Sequence, residues 1–170
     1  MELIRTLTQL VNNLRSLGIR RRLAVVCPND PHTEYVIIRS LREEIAEYLL
    51  VTDEAHVEVA HSLHAASPDF VRIYVTSTPD EAAALAVELV RTGEADILMK
   101  GLINTDNLLR AVLKKEKGLL PPGNILSHVA IAQIPLYHKL LLFSDAAVIP
   151  RPGLAQFRAM IANDIALCRK

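Results

Sequence analysis

Between residues 23 and 99 the chain switches repeatedly between two periodicities, and this alternation restricts its possible folds more than any other feature. Short apolar runs at 23–27, 48–51, 71–75 and 95–99 have the length and branched side chains of buried strands. The stretches between them, 33–46, 54–65 and Thr78 to Gly93, space their apolar residues by three and four, as helices with one buried face do. Parallel strands need crossovers, and right-handed crossovers lay helices on the sheet. The pattern predicts an α/β fold: a three-layer α/β/α sandwich with a mostly parallel sheet.

The punctuation agrees. Leu3, Leu7, Leu10, Val11, Leu14 and Leu17 predict an amphipathic first helix that stops at Gly18. Thr78-Pro79-Asp80-Glu81 reads as an N-cap, a proline at the first helical position and a capping box, with Ala82, Leu85, Ala86, Leu89 and Val90 facing inward. Thr105 is the expected N-cap of a helix carrying Leu108, Leu109, Val112 and Leu113. The chain then changes character at Gly118-Leu119-Leu120-Pro121-Pro122-Gly123. Strands are expected at 127–134 and 139–148, then a last helix with Phe157, Met160, Ile161, Ile165 and Ala166 inside. This divides the chain into a first domain, 1–124, and the start of a second, 125–170.

Composition narrows the partners. Nineteen basic and nineteen acidic residues cancel, leaving no global field for nucleic acid or an anionic membrane surface. Any anion site must be local. The most apolar stretch, 129–149, is interrupted by Gln133, Pro135, His138, Lys139, Ser144 and Asp145, so it reads as two strands and not as a membrane span. Cys27 and Cys168 lack a CxxC pattern, and the amino terminus lacks a secretory pattern. Both point to reduced thiols in a cytoplasmic protein.

Open parallel sheets bind ligands beyond the carboxyl ends of their strands. The fourth run leads there into Lys100-Gly101, then Asn104-Thr105. A lysine, a glycine that admits close backbone approach, and a helix amino terminus suit a phosphate or pyrophosphate, although lysine, asparagine and threonine also punctuate folds with no ligand. Neither a P-loop nor a GxGxxG fingerprint is present. Arg110, Lys114 and Lys117 fall on one stripe by spacing, fit for the phosphates of a nucleotide or for a solvated helix end. Asn29-Asp30 before Pro31 can line the same cleft or form an Asx turn. His56, His61 and His64 have offsets of five and three and share no face, so no metal site is expected.

The run Gly93-Glu94-Ala95-Asp96-Ile97-Leu98-Met99-Lys100-Gly101 continues through Asn104-Thr105, Leu109-Arg110, Gly118-Leu119 and Ser127-His128-Val129-Ala130. In that order it resembles the central signature of the phosphate butyryltransferase and phosphotransacetylase family. Asp145-Ala146-Ala147 and Asn29-Asp30 resemble their counterparts.

The resemblance implies a fold like that of isocitrate and isopropylmalate dehydrogenases, and a reaction in which acyl-CoA and phosphate give acyl phosphate and free CoA. Coenzyme A is then a substrate, and no cofactor is bound permanently. It places Lys100, Gly101, Asn104, Thr105, Arg110, Lys114, Asn29 and Asp30 in substrate binding, with Ser127 and His128 as catalytic candidates. Family members continue to a late Ser-Arg segment that is absent here, so the chain is expected to be an amino-terminal half. Two readings follow: a truncated phosphate acyltransferase, or a module that binds CoA, phosphate or a partner without catalysis. An incomplete second domain would leave apolar faces at 129–134 and 140–148 uncovered, which predicts a homo-oligomer, most simply a dimer.

Overall fold

A computed structural model describes residues 3–169. The apolar runs form β1 (Arg21–Val26), β2 (Ala46–Asp53), β3 (Val71–Thr76) and β4 (Ile97–Lys100), all parallel, in the order β3-β2-β1-β4. Successive side chains point to opposite faces, and each face is covered. Val25, Tyr48 and Leu50 pack with Ile37 of α2 (Pro31–Arg42) and with Ala60 and Leu63 of α3 (Val57–Ala66). On the other side, Ala24, Val26, Leu49 and Val51 pack with Ala82, Ala86 and Leu89 of α4 (Pro79–Arg91) and Leu108 of α5 (Thr105–Val112). This is the three-layer sandwich that the periodicity predicts.

Side-chain caps set most boundaries. Asp30 starts α2 by accepting from the amides of His32 and Thr33. Thr78 starts α4 by accepting from the Glu81 amide at 3.2 Å, while the Glu81 carboxylate reaches back to the Ser77 amide at 3.0 Å. The expected helix 33–46 ends earlier, at Arg42, because Glu44 takes a left-handed φ of +59° and turns Ala46 into β2. The expected helix 54–65 opens with a 3-10 turn, Glu54–His56, because the Asp53 side chain makes no cap bond there and instead pairs with His56. The first helix, α1 (Leu7–Ser16), starts after Leu3 because Gln9 and Thr6 cap one another: the Thr6 amide donates to Gln9 Oε1, and the Gln9 amide to Thr6 Oγ1. None of its residues is buried, so its expected inward face stays half open.

The chain forms two compact units. The first, Leu14–Leu119, holds the sheet and its helices. The second, residues 3–13 with 120–169, contains the antiparallel pair β5 (Ala130–Ala132) and β6 (Leu141–Phe143), and α6 (Leu154–Cys168). The two strands are far shorter than the spans 127–134 and 139–148 expected of them; Pro135 cannot donate to a ladder, and Leu136 turns with φ +68°. Of the residues expected inside α6, only Met160 is buried. Leu154, Phe157, Ile161 and Ile165 are exposed, and their spacing of three, four and four puts them on one stripe. Among the described residues, no helix is long and apolar enough to cross a membrane.

Candidate functional site

The sheet order reverses between β1 and β4. The chain steps from β1 to β2 to β3, then returns through α4 to the far side of β1. At such a reversal the loops leaving adjacent strands diverge and open a crevice at their carboxyl ends. Val26 pairs with Lys100 there, so the segments that follow, Cys27 to Asp30 and Gly101 to Asn104, emerge side by side. Asn29, Asp30, Lys100, Gly101, Asn104 and Thr105 all lie on this edge of the first unit.

Their roles divide. Gly101 brings two backbones together: a Cβ there would stand 2.3 Å from the Cys27 carbonyl oxygen and 2.7 Å from that of Val26. Its amide donates to Val26 O at 2.9 Å, and the Leu102 amide to Cys27 O at 2.7 Å. The close approach expected toward an anion is therefore made toward β1. Asn104, and not Thr105, is the N-cap of α5, accepting from the Asp106 amide at 2.9 Å; Thr105 is the exposed first residue of the helix. Lys100 keeps an exposed ammonium group that donates to Gly101 O at 3.3 Å.

On the β1 side, Asp30 is fully engaged in capping. The Thr33 hydroxyl donates to its second oxygen at 2.5 Å, and this bond, with the Thr33 and His32 amides, holds the carboxyl below its usual range. Asn29 accepts from the buried Thr52 hydroxyl at 3.3 Å, tying the end of β1 to that of β2. Cys27 is buried with a left-handed φ of +51°; burial and then the Asp53 carboxylate push its thiol up to about 11, so it is no ready nucleophile.

Arg110 and Lys114 line a groove of about 590 Å³ with Asp80, Ala84, Asn107, Ala111 and Leu113. The continuous stripe expected through Lys117 is broken because α5 ends at Val112 and the chain turns: the Gly118 amide donates to Lys114 O at 2.7 Å. Lys117 instead lies within electrostatic reach of Glu88.

Ser127 and His128 belong to the second unit. Asn163 of α6 donates to Ser127 Oγ at 2.8 Å and to Ile125 O at 3.3 Å, so the serine proton is free to point elsewhere. Ser127 and Asn163 line a hollow of about 700 Å³ floored by Ala155, Ala159 and Ala162. The His128 amide donates to Asp145 at 2.8 Å, and His128 Nδ1 is buried without a hydrogen-bond partner. Burial pushes the Asp145 carboxyl up, but the amides of His128, Val148, Ala147 and Ile149 outweigh it and hold the group well below the carboxylate range.

Sequence reasoning did not single out Thr52, Asp53 or Asn163. Asp53 is buried at the end of β2 and pairs with His56 Nδ1 at 2.6 Å. Its position, last in an apolar run at the carboxyl edge, was the available signal. Asn163 sits among apolar helix residues and gave no signal. His64, considered as a metal ligand, faces the Val71 carbonyl at 2.6 Å.

The fold and this edge define an open, doubly wound α/β protein with a cationic group at the point where the sheet reverses. The family model described as "Phosphate acetyl/butaryl transferase" matches residues 52–169, and the chain belongs to that family. It is 33% identical over 158 residues to a phosphate butyryltransferase of Clostridium beijerinckii, a match covering 92% of this chain and 51% of the relative. A phosphate acetyltransferase of Thermotoga maritima is also 33% identical, over 92% of this chain and 52% of its own. The crystal structure of a branched-chain phosphotransacylase from Enterococcus faecalis superposes with a TM-score of 0.71 at 25% identity, covering 88% of this chain and 51% of that one. The chain thus spans about half the length of the relatives it matches.

Proposed function

We propose that the chain supplies the coenzyme A and phosphate-binding part of a phosphate acyltransferase, in which acyl-CoA and phosphate give acyl phosphate and CoA. The observation that carries this reading is the convergence of Asn29, Lys100 and the start of α5 where the sheet reverses, in a member of this family. A phosphate oxygen attacks the thioester carbonyl, the C–S bond breaks, and the thiolate takes up a proton. Lys100 supplies the countercharge for a phosphoryl group, and Arg110 and Lys114 hold the phosphates of CoA in their groove. Ser127, its oxygen already held by Asn163, is the candidate donor to the carbonyl oxygen; His128 is the candidate to handle the thiol proton. In this reading CoA is a substrate and nothing is bound permanently. Two free thiols, Cys27 and Cys168, suit the cytoplasm, and exposed Ile131, Ile134 and Phe143 support self-association.

Titration calorimetry with CoA tests the reading. Lys100→Ala and Arg110→Ala are each expected to weaken binding by about tenfold with an unchanged melting temperature. Unchanged affinity in both overturns the assignment. Phosphate-dependent release of thiol from butyryl-CoA separates the two forms of the proposal: turnover marks an enzyme, and CoA binding without turnover marks a binding module.

A further inference from the structure

We infer that the hollow beside Ser127 in the second unit takes the acyl chain of the thioester and sets which chain lengths are accepted. The inference deepens the proposed reaction and rests on its assignment of Ser127 to the thioester carbonyl. Whatever carbonyl Ser127 donates to, the substituent on that carbonyl must lie beside the serine. The hollow that Ser127 lines has a volume of about 700 Å³, within the range of small-molecule sites. Among the described residues, no charged side chain lines it. Inorganic phosphate and the phosphates of CoA would lose their hydration there and meet no countercharge. The acyl chain is the part of the substrates that gains by leaving water.

The shape of the hollow comes from α6. Ala155, Ala159 and Ala162 are spaced by four and three and share one face of the helix, and Leu120, Leu126 and Val129 complete the apolar lining. Any longer side chain on that face would occupy the space. The polar groups are already committed: Asn163 Nδ2 donates to Ile125 O and to Ser127 Oγ, which leaves the serine proton to offer to a carbonyl. The pantetheine arm of CoA is the weaker candidate, because its two amides need several partners and the lining is mostly apolar.

The probes are N-acetylcysteamine thioesters, which carry the carbonyl and the acyl chain but no phosphate. The full chain is titrated by nuclear magnetic resonance with the acetyl and butyryl thioesters and with N-acetylcysteamine alone. Resonances of Val129, Ala159 and Ala162 are expected to shift. Butyryl should bind about tenfold more tightly than acetyl, because each buried methylene is worth about fourfold, and the bare thiol more weakly still. Ala159→Leu puts a larger side chain into the hollow and should erase the preference; Ala162→Val, which adds less volume, should reduce it. Equal affinity for acetyl and butyryl overturns the inference, as does no binding of either, binding of the bare thiol as tight as butyryl, shifts confined to other segments, or a preference that both variants retain. The unaltered chain decides alone where a variant fails to fold. CoA, which has no acyl chain, is titrated separately. CoA binding without a chain-length preference sinks the inference and leaves the proposed function standing, and a butyryl preference without CoA binding marks an acyl-binding hollow without the proposed CoA site.

Discussion

The two units use similar residues and bury them very differently. Among the described residues, every buried hydrophobic side chain except Ile149 and Met160 lies in Leu14–Leu119. The cause is architectural. A parallel strand covered on both faces buries nearly every side chain, as β2 does, whereas a hairpin with strands of three residues buries none fully. The first unit has a core of its own, whereas the second buries few apolar side chains and leaves Leu154, Phe157, Ile161 and Ile165 exposed. This difference sets the order of expected effects.

The largest belongs to the core of the first unit. Leu50 is fully buried between β1 and β3, and Leu50→Ala should cost about 2–5 kcal/mol. Met160→Ala in α6 should cost about 2 kcal/mol or less, because its loosely packed surroundings can close around the loss. Denaturant midpoints of both variants check this, and equal losses would break the comparison.

Two glycines sharpen it. A methyl group at Gly101 meets backbone atoms of Val26 and Cys27, all nearer than 3 Å, inside the rigid β1–β4 junction. Gly101→Ala should therefore cost about 1–3 kcal/mol or more. Gly123 opens the second unit with φ +82° and nothing within 4 Å, so Gly123→Ala meets only the left-handed backbone penalty, about 1 kcal/mol. Thermal melts that rank the two the other way would show that the second unit is the tighter one.

What was legible in the sequence follows the same division. Period and punctuation revealed the sandwich because local pattern and burial coincide there: strands buried on both faces read as apolar runs, and the Thr78 and Gly93 boundaries lie where caps require them. Where the structure departs, a side chain made a different local choice. Asp53 pairs with His56 and tightens the first turn after β2; Glu44 turns left-handed and shortens α2. The candidate edge was legible as the ends of β1 and β4, but the jobs of its residues were not. Nothing in the order of residues tells that Gly101 approaches a strand, and Asp30 before Pro31 left a cleft position and a local turn equally open until the structure showed it capping α2. In the second unit the apolar runs were visible, but they pair with each other over only three residues, because Pro135 and the left-handed Leu136 turn the chain soon after β5.

Acid should separate the units further. Asp145 is held below its unfolded carboxylate value by backbone amides, so its contribution is complete above about pH 4 and is lost as pH falls through and below that range. Asp30 and Asp96 in the first unit shift in the same direction, one through Thr33 and the other through the Arg22 guanidinium. Their loss removes a cap and an ion pair from a unit whose core remains, whereas loss of Asp145 frees the segment that holds His128. Amide resonances of His128 and Val148 should broaden on acidification before those of β1 and β2. Asp145→Asn should make the second unit less sensitive to pH. Simultaneous loss across both units would mean that the second is not the weaker one.

The smallest effect decides how the start of α5 is built. In the first unit a helix end is expected to depend on one side-chain oxygen, because the rest of the helix is already fixed by packing through Leu108. That oxygen is on Asn104, which is extended at φ −61° and ψ 133° and accepts from the Asp106 amide; the Thr105 side chain points outward from the first turn. Asn104→Ala should then cost about 1 kcal/mol and Thr105→Ala only a few tenths. Thermal melts would reverse that ranking if Thr105 were the cap, as the threonine before an apolar helix suggests.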